Sequence, residues 1–379
     1  MKREECFAAV PTPCYVVDEA LLRHNLKILA GVQKDTGCRI LLAQKAFSMY
    51  HFYPLIAEYL SGATASGLYE ARLGHEEMGR ENHIFSPAYK EEEFAEIIRL
   101  CDHIVFNSVS QWERFAPQAI AAGRECGLRI NPECSTQEGH AIYDPCAPGS
   151  RLGTRRADFD WERLKGISGL HFHTLCEQNS DDLATTLKAV EEKFGEFLPR
   201  LKWLNFGGGH HITRPDYDIE LLKKCIGRIQ DKYGVAVYLE PGEAVALRAG
   251  FLVTMVLEIV QASDMEVAIL DTSAACHMPD VIEMPYRPPL RNSGEPKEKS
   301  HTYRLAGPTC LAGDVIGEYS FDNPLKIGDR LVFEDMAIYS MVKNNTFNGM
   351  ALPDIIALNE DGSWNTVKKF GYEDFKSRL

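Results

Sequence analysis

The sequence lacks any apolar stretch long enough for a membrane-spanning helix or a secretory signal peptide. It also lacks an excess of positive charge, because 54 acidic residues outnumber 41 basic ones and give a net charge of −13. Nucleic acids and anionic membranes attract basic surfaces, so we expect no nucleic-acid partner and no membrane partner. The expected location is the cytoplasm.

The cysteine pattern contains no CxxC pair, and the number of cysteines, 11, is odd. Scattered cysteines in a reducing compartment usually behave as small buried apolar residues. The apolar content of 45% and the charged content of 25% are ordinary for a soluble globular protein. A length of 379 residues favours two domains over one.

Short apolar runs alternate with amphipathic segments between residues 18 and 245. Eight runs have the character of strands: RILLAQ, GATAS, NHIFS, HIVFN, CGLRIN, GLHFHT, WLNFGG and AVYLEP. Helical periodicity separates several of them, as in KEEEFAEIIRL and SDDLATTLKAVEEKFGEFL. Eight strand–helix units predict a TIM-like (β/α)8 barrel, in which catalytic groups lie at the carboxyl ends of the strands.

After residue 245 the pattern changes to β-rich runs such as FLVTMVLEIV, EVAILDTS, SHTYRLAG and DRLVFEDMAIYSMV. These runs predict a C-terminal antiparallel β domain. We therefore expect a barrel at residues 17–245 and a β-rich domain at residues 246–379, joined by residues 1–16. The segment TPCYVVD is expected to add a strand to the β-rich domain.

Polar groups follow four of the predicted barrel strands: Lys45, His173, the triplet Gly207–Gly209, and Glu240 before Pro241. Lys45 ends an apolar run, and burial would lower its pKa and free its amine as a nucleophile. The alternative is a surface lysine whose ammonium group stays in water.

Each of the other groups has an ordinary structural explanation as well. Consecutive glycines suit an anion such as phosphate, whereas a tight turn would need only one. His173 alone could be a core histidine, and Glu240 alone a salt-bridge partner. Together with Lys45, however, they supply the parts that pyridoxal 5'-phosphate requires: an amine, a phosphate site, a flat group and a partner for the pyridine nitrogen.

These motifs carry a family resemblance. LLAQKAFS, LHFHTLCE, GGGHHIT, LEPGEA, GPTCLAGD and EDMAIY resemble segments of the alanine-racemase-fold (fold type III) pyridoxal-dependent decarboxylases, in the branch of ornithine and diaminopimelate decarboxylases. The resemblance covers nearly the whole chain and is strongest to the group that acts on carboxylated polyamines. It implies a lyase that converts carboxynorspermidine or carboxyspermidine to norspermidine or spermidine.

The resemblance also implies roles for particular residues. Lys45 would hold the coenzyme covalently, and His173 would stack on its ring. Gly207, Gly208, Gly209 and Tyr339 would hold its phosphate, while Glu240 would pair with the pyridinium nitrogen. A glutamate at that nitrogen favours decarboxylation, because it keeps the ring protonated and electron-withdrawing.

Cys310 matches a cysteine that family members contribute to the active site of the neighbouring subunit. The resemblance therefore implies a homodimer with shared sites, in which Cys310 or Lys45 returns a proton to the product. The substrate would be a small cationic amino acid, whose distal amines require acidic residues. Asp271, Asp280 and Glu283 are the candidates, although each could equally be a surface charge.

Two positions depart from the family pattern. Glu243 stands where the related decarboxylases have an arginine after EPG, and Leu311 stands where an acidic residue follows the cysteine. The second departure puts ornithine and diaminopimelate in doubt as substrates, but decarboxylation of another basic α-amino acid (diaminopimelate, ornithine or lysine) is the alternative function.

Two further hypotheses remain open. HFH, HH and Asp271 could form the zinc site of a barrel hydrolase, but that hypothesis leaves Lys45 and the glycines unexplained and no metal is expected. A catalytically inactive pyridoxal-binding regulator would not need Cys310 or Glu240.

Overall fold

The computed structural model describes residues 2–137 and 141–379, which fall into two units. One unit is Asn25–Val245, and the other combines Met1–His24 with Ala246–Leu379. All 11 cysteines are free thiols. Among the described residues, no helix has the length and apolar character needed to cross a bilayer.

The unit Asn25–Val245 contains a closed ring of eight parallel strands. In order they are Arg39–Ala43, Gly62–Ala65, Glu81–Phe85, His103–Phe106, Glu125–Asn131, Gly169–His171, Trp203–Asn205 and Ala236–Leu239. A two-residue strand, Thr154–Arg155, pairs with the end of the fifth. Each barrel strand coincides with one of the eight apolar runs, so the predicted (β/α)8 barrel is confirmed.

Helices connect the strands, and several of them begin at polar capping residues. The helices are Glu19–Thr36, Tyr53–Tyr59, Leu68–Leu73, Glu91–Leu100, Val109–Ala121, Ser180–Phe194, Ile219–Tyr233 and Glu243–Ala246. Asp18, Ser108 and Asp218 each accept a hydrogen bond from a backbone N–H in the first turn of the following helix. Such caps satisfy N–H groups that have no partner within the helix.

One large side chain fills the barrel interior at the end where the strands begin. Trp203 starts the seventh strand, and a Cβ added at Gly127 or Gly169 would come within 2.2 or 2.0 Å of its ring. Trp203 packs there with Leu41, Val105 and Tyr238. The glycines are required by this packing.

The second unit contains a mostly antiparallel eight-stranded sheet. Its strands are Cys14–Asp18, Gly250–Ala262, Met265–Leu270, His301–Ala306, Val315–Phe321, Arg330–Glu334, Asp354–Leu358 and Trp364–Lys368. The N-terminal strand Cys14–Asp18 lies between Gly250–Ala262 and Asp354–Leu358. Side chains alternate along it, so Tyr15 joins one apolar cluster and Val16 the other.

The β-rich unit also contains helices that the sequence patterns did not predict. They are Lys2–Ala9, Ala274–His277, Asp280–Glu283, Ser340–Lys343 and Tyr372–Lys376. The run DRLVFEDMAIYSMV, expected to be extended throughout, is a strand only over Arg330–Glu334. Met336 and Ala337 are buried in the turn that follows, and Val342 is exposed in the short helix after it, because an apolar run does not distinguish these conformations.

Candidate active site

The carboxyl ends of the barrel strands surround one cleft. Lys45 lies two residues after the first strand, His171 ends the sixth, and Glu240 directly follows the eighth. The cleft encloses about 360 Å³, including its open mouth. Its walls are formed by Ala43, Lys45, Thr64, Ala65, Ser66, Phe85, Arg129, His171, His173, Gly208 and Glu240. This is the end at which barrel enzymes hold their catalytic groups.

Lys45 and His173 are in direct contact, with 3.3 Å between Lys45 Nζ and His173 Nε2. On the other side of the ring, the N–H of Gly208 donates to His173 Nδ1 over 3.1 Å. A backbone N–H can only donate, so Nδ1 is unprotonated and a neutral ring carries its proton on Nε2. That proton points at the amine of Lys45.

The lysine amine is therefore placed to accept a hydrogen bond in its uncharged form. Burial lowers the pKa of Lys45, and the nearby guanidinium of Arg129 lowers it further. Burial also holds the pKa of His173 well below its usual range, with the charge of Lys45 acting in the same direction. Both shifts favour the uncharged forms, and the uncharged form of a lysine amine is the nucleophilic one.

Glu240 is oriented by two donors. Asn205 Nδ2 donates to Oε1 over 2.8 Å, and His171 Nε2 donates to Oε2 over 3.2 Å. Burial alone would raise the pKa of Glu240, but His171 and the Asn205 amide outweigh it and hold the pKa at about 2. The cleft therefore presents an ionised carboxylate together with the buried amine of Lys45, whose pKa is lowered.

Arg129 was missed in the sequence. It lies in the fifth strand, is only 4% exposed, and has its guanidinium carbon 4.6 Å from the centre of the Phe85 ring. One N–H donates to the carbonyl of His173 over 3.1 Å, and no ion pair with a carboxylate is found among the described residues. Burial lowers its pKa to about 10, so it remains charged at neutral pH. An arginine inside the apolar run CGLRIN was the available signal.

The glycine triplet packs against the neighbouring strand ends. Gly207 and Gly209 have φ values of 71° and 81°, which favour glycine. A Cβ at Gly207, Gly208 or Gly209 would come within 2.3, 2.6 or 2.0 Å of a backbone carbonyl oxygen. All three positions therefore require glycine for steric reasons, and they leave bare backbone beside His173 and Glu240.

Three predicted acidic residues lie in the β-rich unit. Asp271 Oδ1 accepts from the Thr254 hydroxyl over 2.6 Å and from the Met255 N–H over 2.9 Å, while Oδ2 is buried without a hydrogen-bond partner. Asp280 and Glu283 both hold the ammonium group of Lys343. These two carboxylates form a site that already binds one alkylammonium group.

Cys310 and Tyr339 also belong to the β-rich unit. Cys310 is exposed in a loop whose backbone is fixed by Asp314, a buried acceptor for the hydroxyls of Ser273 and Thr309. Tyr339 has a left-handed backbone, with φ 57°, directly before the helix Ser340–Lys343. Such a conformation is uncommon for a tyrosine and is often found at functional sites.

The structure also bears on the zinc hypothesis. Among the described residues, the potential metal ligands that come closest together are Glu81, His83 and His103, whose donor atoms lie within 4.8 Å of one another. None of them belongs to HFH or HH, and they lie towards the opposite end of the barrel. His171 and His173 instead contact Glu240 and Lys45.

A barrel with a lysine in its cleft, followed by a separate sheet unit, is the architecture expected of a pyridoxal-dependent decarboxylase, and the match to a family profile agrees with that expectation. The sequence profile described as "Pyridoxal-dependent decarboxylase, C-terminal sheet domain" matches residues 14–337. The chain belongs to the pyridoxal-dependent decarboxylases, and its coenzyme is pyridoxal 5'-phosphate. The predicted resemblance is confirmed.

Individual decarboxylases are similar to this chain along nearly their whole length. The carboxynorspermidine/carboxyspermidine decarboxylase of Campylobacter jejuni is 45% identical, over 98% of this chain and 99% of the relative. The carboxyaminopropylagmatine decarboxylase of Synechocystis sp. is 42% identical, over 98% and 96%. The crystal structure of the carboxynorspermidine decarboxylase from C. jejuni, complexed with norspermidine, gives a TM-score of 0.92 at 44% identity, over 98% of this chain and all of that one.

Proposed function

We propose that the protein decarboxylates carboxynorspermidine or carboxyspermidine and releases CO₂ with norspermidine or spermidine, as a step of polyamine biosynthesis. The observation that carries the proposal is the contact of Lys45 with His173 beside the ionised Glu240, in a chain that is 45% identical to an enzyme of that name.

The cleft residues fit the coenzyme. Lys45 would hold it covalently, His173 would lie against its ring, and Gly207–Gly209 would face its phosphate. Arg129 supplies a buried cation in the same cleft, where an anionic ligand would offset the cost of burying its charge. Tyr339 remains a proposed phosphate ligand.

Pyridoxal phosphate, when bound, would supply an electron sink for the electron pair that remains on an α-carbon when its carboxylate leaves as CO₂. Glu240 controls the strength of that sink, because an ionised carboxylate stabilises a proton on the pyridine nitrogen. His171 and Asn205 keep Glu240 ionised and fix its orientation. The uncharged amine of Lys45 can take up or return a proton near the reacting carbon.

The proposal includes a homodimer in which Cys310 serves the partner's site. Its support is the exposed thiol on a loop that Asp314 fixes. A thiol presented in this way can reach a neighbouring subunit and act as a proton donor there. The eleven free thiols also suit the reducing cytoplasm, which remains the proposed location.

Asp280 and Glu283 are proposed to recognise the distal amine of the substrate. Their support is Lys343, whose ammonium group both carboxylates bind. Asp271 is proposed as a further acidic contact through its unpartnered Oδ2.

Carboxyaminopropylagmatine is the second candidate substrate, because an enzyme of that name is 42% identical to this chain. Its tail ends in a guanidinium group rather than an ammonium group. Carboxynorspermidine and carboxyspermidine differ by one methylene, which changes binding by only about 1–3 kcal/mol, so both are expected to react.

The test is a substrate panel scored by CO₂ release and by the mass of the product. The panel contains the three carboxylated polyamines with diaminopimelate, ornithine and lysine as alternatives. The proposal requires the highest kcat/KM for carboxynorspermidine or carboxyspermidine. A preference for carboxyaminopropylagmatine would favour the second candidate, and no turnover with any of them would favour the pyridoxal-binding regulator.

A further inference from the structure

We propose that Glu243 is a positioning residue for the coenzyme. Acting through His211, it fixes the backbone of residues 207–211, the segment that contains the glycine triplet. This inference rests on the proposed function, because it assumes that the coenzyme's phosphate faces that segment.

The first observation is a largely buried contact between an imidazole and a carboxylate. His211 Nε2 and Glu243 Oε2 form a short hydrogen bond, and their side chains are only 8% and 15% exposed. A contact with so little water around it is directional and is not screened by salt in the way that a surface pair is. Glu243 therefore constrains where His211, and the backbone that carries it, can lie.

A second observation is that the segment is held from both sides. On one side, the Gln178 N–H donates to the Gly209 carbonyl over 3.0 Å, and the His211 N–H donates to the Gln178 carbonyl over 3.3 Å. On the other side, the Thr213 hydroxyl donates to the Ala244 carbonyl over 2.7 Å, next to the His211–Glu243 pair. Without Glu243, the second side would depend on the Thr213 hydroxyl.

The segment is also coupled to the acidic end of the cleft. The Gly207 N–H donates to Asn205 Oδ1 over 2.8 Å, and the same Asn205 donates to Glu240. The Glu240 N–H in turn donates to the Gly207 carbonyl over 2.7 Å. A shift of the glycine backbone would therefore disturb both the phosphate site and the carboxylate at the pyridine nitrogen.

The charge of Glu243 is consistent with an indirect role. A carboxylate facing a phosphate directly would repel it, whereas a carboxylate engaged with an imidazole has its charge partly offset. Backbone N–H groups bind an anion well only when their orientation is fixed beforehand. Glu243 supplies that fixation and does not touch the coenzyme itself.

The experiment measures the dissociation constant of pyridoxal phosphate for the apoenzyme by absorbance titration. Glu243→Ala should weaken coenzyme binding by about 10–100-fold, the range found when a partner that orients a ligand-binding group is removed. Glu243→Gln, which keeps an oxygen that can accept from His211, should lose much less. With saturating coenzyme, the KM for substrate should stay at the wild-type value in both variants.

Two controls separate positioning from general stability. Glu113→Gln removes an exposed ion pair with Arg163 in the same unit and should leave coenzyme affinity unchanged. Thermal unfolding of each apoenzyme shows whether the variant is folded. If Glu243→Ala does not fold, coenzyme affinity can still be measured in the near-isosteric Glu243→Gln.

Several outcomes overturn the inference. Wild-type affinity in folded Glu243→Ala means that the pair does not position the segment, and a lower melting temperature with unchanged affinity assigns it to stability alone. If Glu243→Ala is not folded, equal losses of affinity in Glu243→Gln and Glu113→Gln contradict it. If the wild-type apoenzyme itself fails to bind pyridoxal phosphate, the proposed function fails as well, which is a distinct result.

Discussion

The two ends of the barrel contain similar groups with different surroundings. At the end where the strands begin, Glu81 lies beside His83 and His103; at the end where they finish, Glu240 lies beside His171. In both places burial alone would raise the glutamate pKa, but histidine contacts hold it at about 2. Residue type and pKa therefore do not distinguish the two ends.

At the beginning of the strands, the hydrogen-bonding capacity of Glu81 is used. Oε1 accepts from His83 over 2.9 Å and from the Tyr238 hydroxyl over 2.8 Å and lies 3.3 Å from His103 Nε2, while Oε2 accepts from Arg39 over 3.0 Å. The two imidazole rings stack at 4.0 Å and 14°. Both oxygens of the Glu81 carboxylate are therefore already engaged by protein groups.

At the end of the strands, Glu240 has two donors and also faces the cleft. A carboxylate has about four lone-pair positions, so Glu240 can accept another hydrogen bond from a ligand. Lys45 and Arg129 face the same cleft. Unused hydrogen-bonding capacity at an open cleft, rather than a shifted pKa, separates the reactive end from the structural end.

The largest effect is expected from Lys45→Ala. Removing the amine should eliminate covalent attachment of the coenzyme and lower turnover by at least about 1,000-fold, since one acid–base group alone contributes about 10²–10⁴-fold. Borohydride reduction followed by mass spectrometry tests the attachment, and CO₂ release tests the rate. Lys202→Ala, at the exposed beginning of the seventh strand, is the matched control. Coenzyme bound covalently to Lys45→Ala would show that the attachment site lies elsewhere.

Glu240→Gln should retain the coenzyme but lower kcat by about 100–1,000-fold, because a neutral amide cannot stabilise a proton on the pyridine nitrogen as a carboxylate does. Coenzyme content is read from the visible absorbance of the purified protein, and kcat from CO₂ release at saturating substrate. An unchanged kcat would show that Glu240 takes no part in the reaction and that its role, like that of Glu81, is structural.

Much of the barrel and part of the cleft could be predicted from the sequence, for a physical reason. Eight apolar runs gave the eight strands, and Lys45 and Glu240 stood out because a charge directly after an apolar run is unusual. Arg129 and Asn205 lie inside strands, where orientation towards the cleft or away from it depends on barrel geometry that a linear pattern does not contain. The contacts of Glu81 could not be predicted from a linear pattern either, because one of its partners, Tyr238, is far from it in sequence.

For Glu81 we expect the opposite of what we expect for Glu240: an effect on stability and not on kcat. Glu81→Gln should leave kcat near the wild-type value but lower the free energy of unfolding by about 3 kcal/mol, since the charged acceptor of Arg39 and two histidines is lost. Urea unfolding at a fixed protein concentration measures the stability, which in an oligomer depends on concentration. A large loss of kcat in a protein of normal stability would mean that this end of the barrel also takes part in catalysis.

The smallest effect concerns the pH dependence of stability at the same end. Burial and the neighbouring His83 hold the pKa of His103 at about 3, against 6.5 for an unperturbed histidine. Between these values the unfolded chain binds a proton that the folded chain does not, so stability is fully present above pH 6.5 and falls as the pH is lowered. The loss is about 1.4 kcal/mol per pH unit for each proton.

His103→Gln keeps a side-chain N–H that can donate to Glu81 but removes the titration. The surrounding charges on Glu81, Arg39 and Lys202 are unchanged, so the difference between the two proteins isolates His103. Glu81 begins to add its own dependence only below about pH 4.5, where its unfolded form takes up a proton. Urea unfolding between pH 6.5 and 4.5 should therefore show the wild type losing about 2 kcal/mol more than the variant. Parallel stability curves would mean that His103 is already charged in the folded barrel and forms an ion pair with the carboxylate of Glu81.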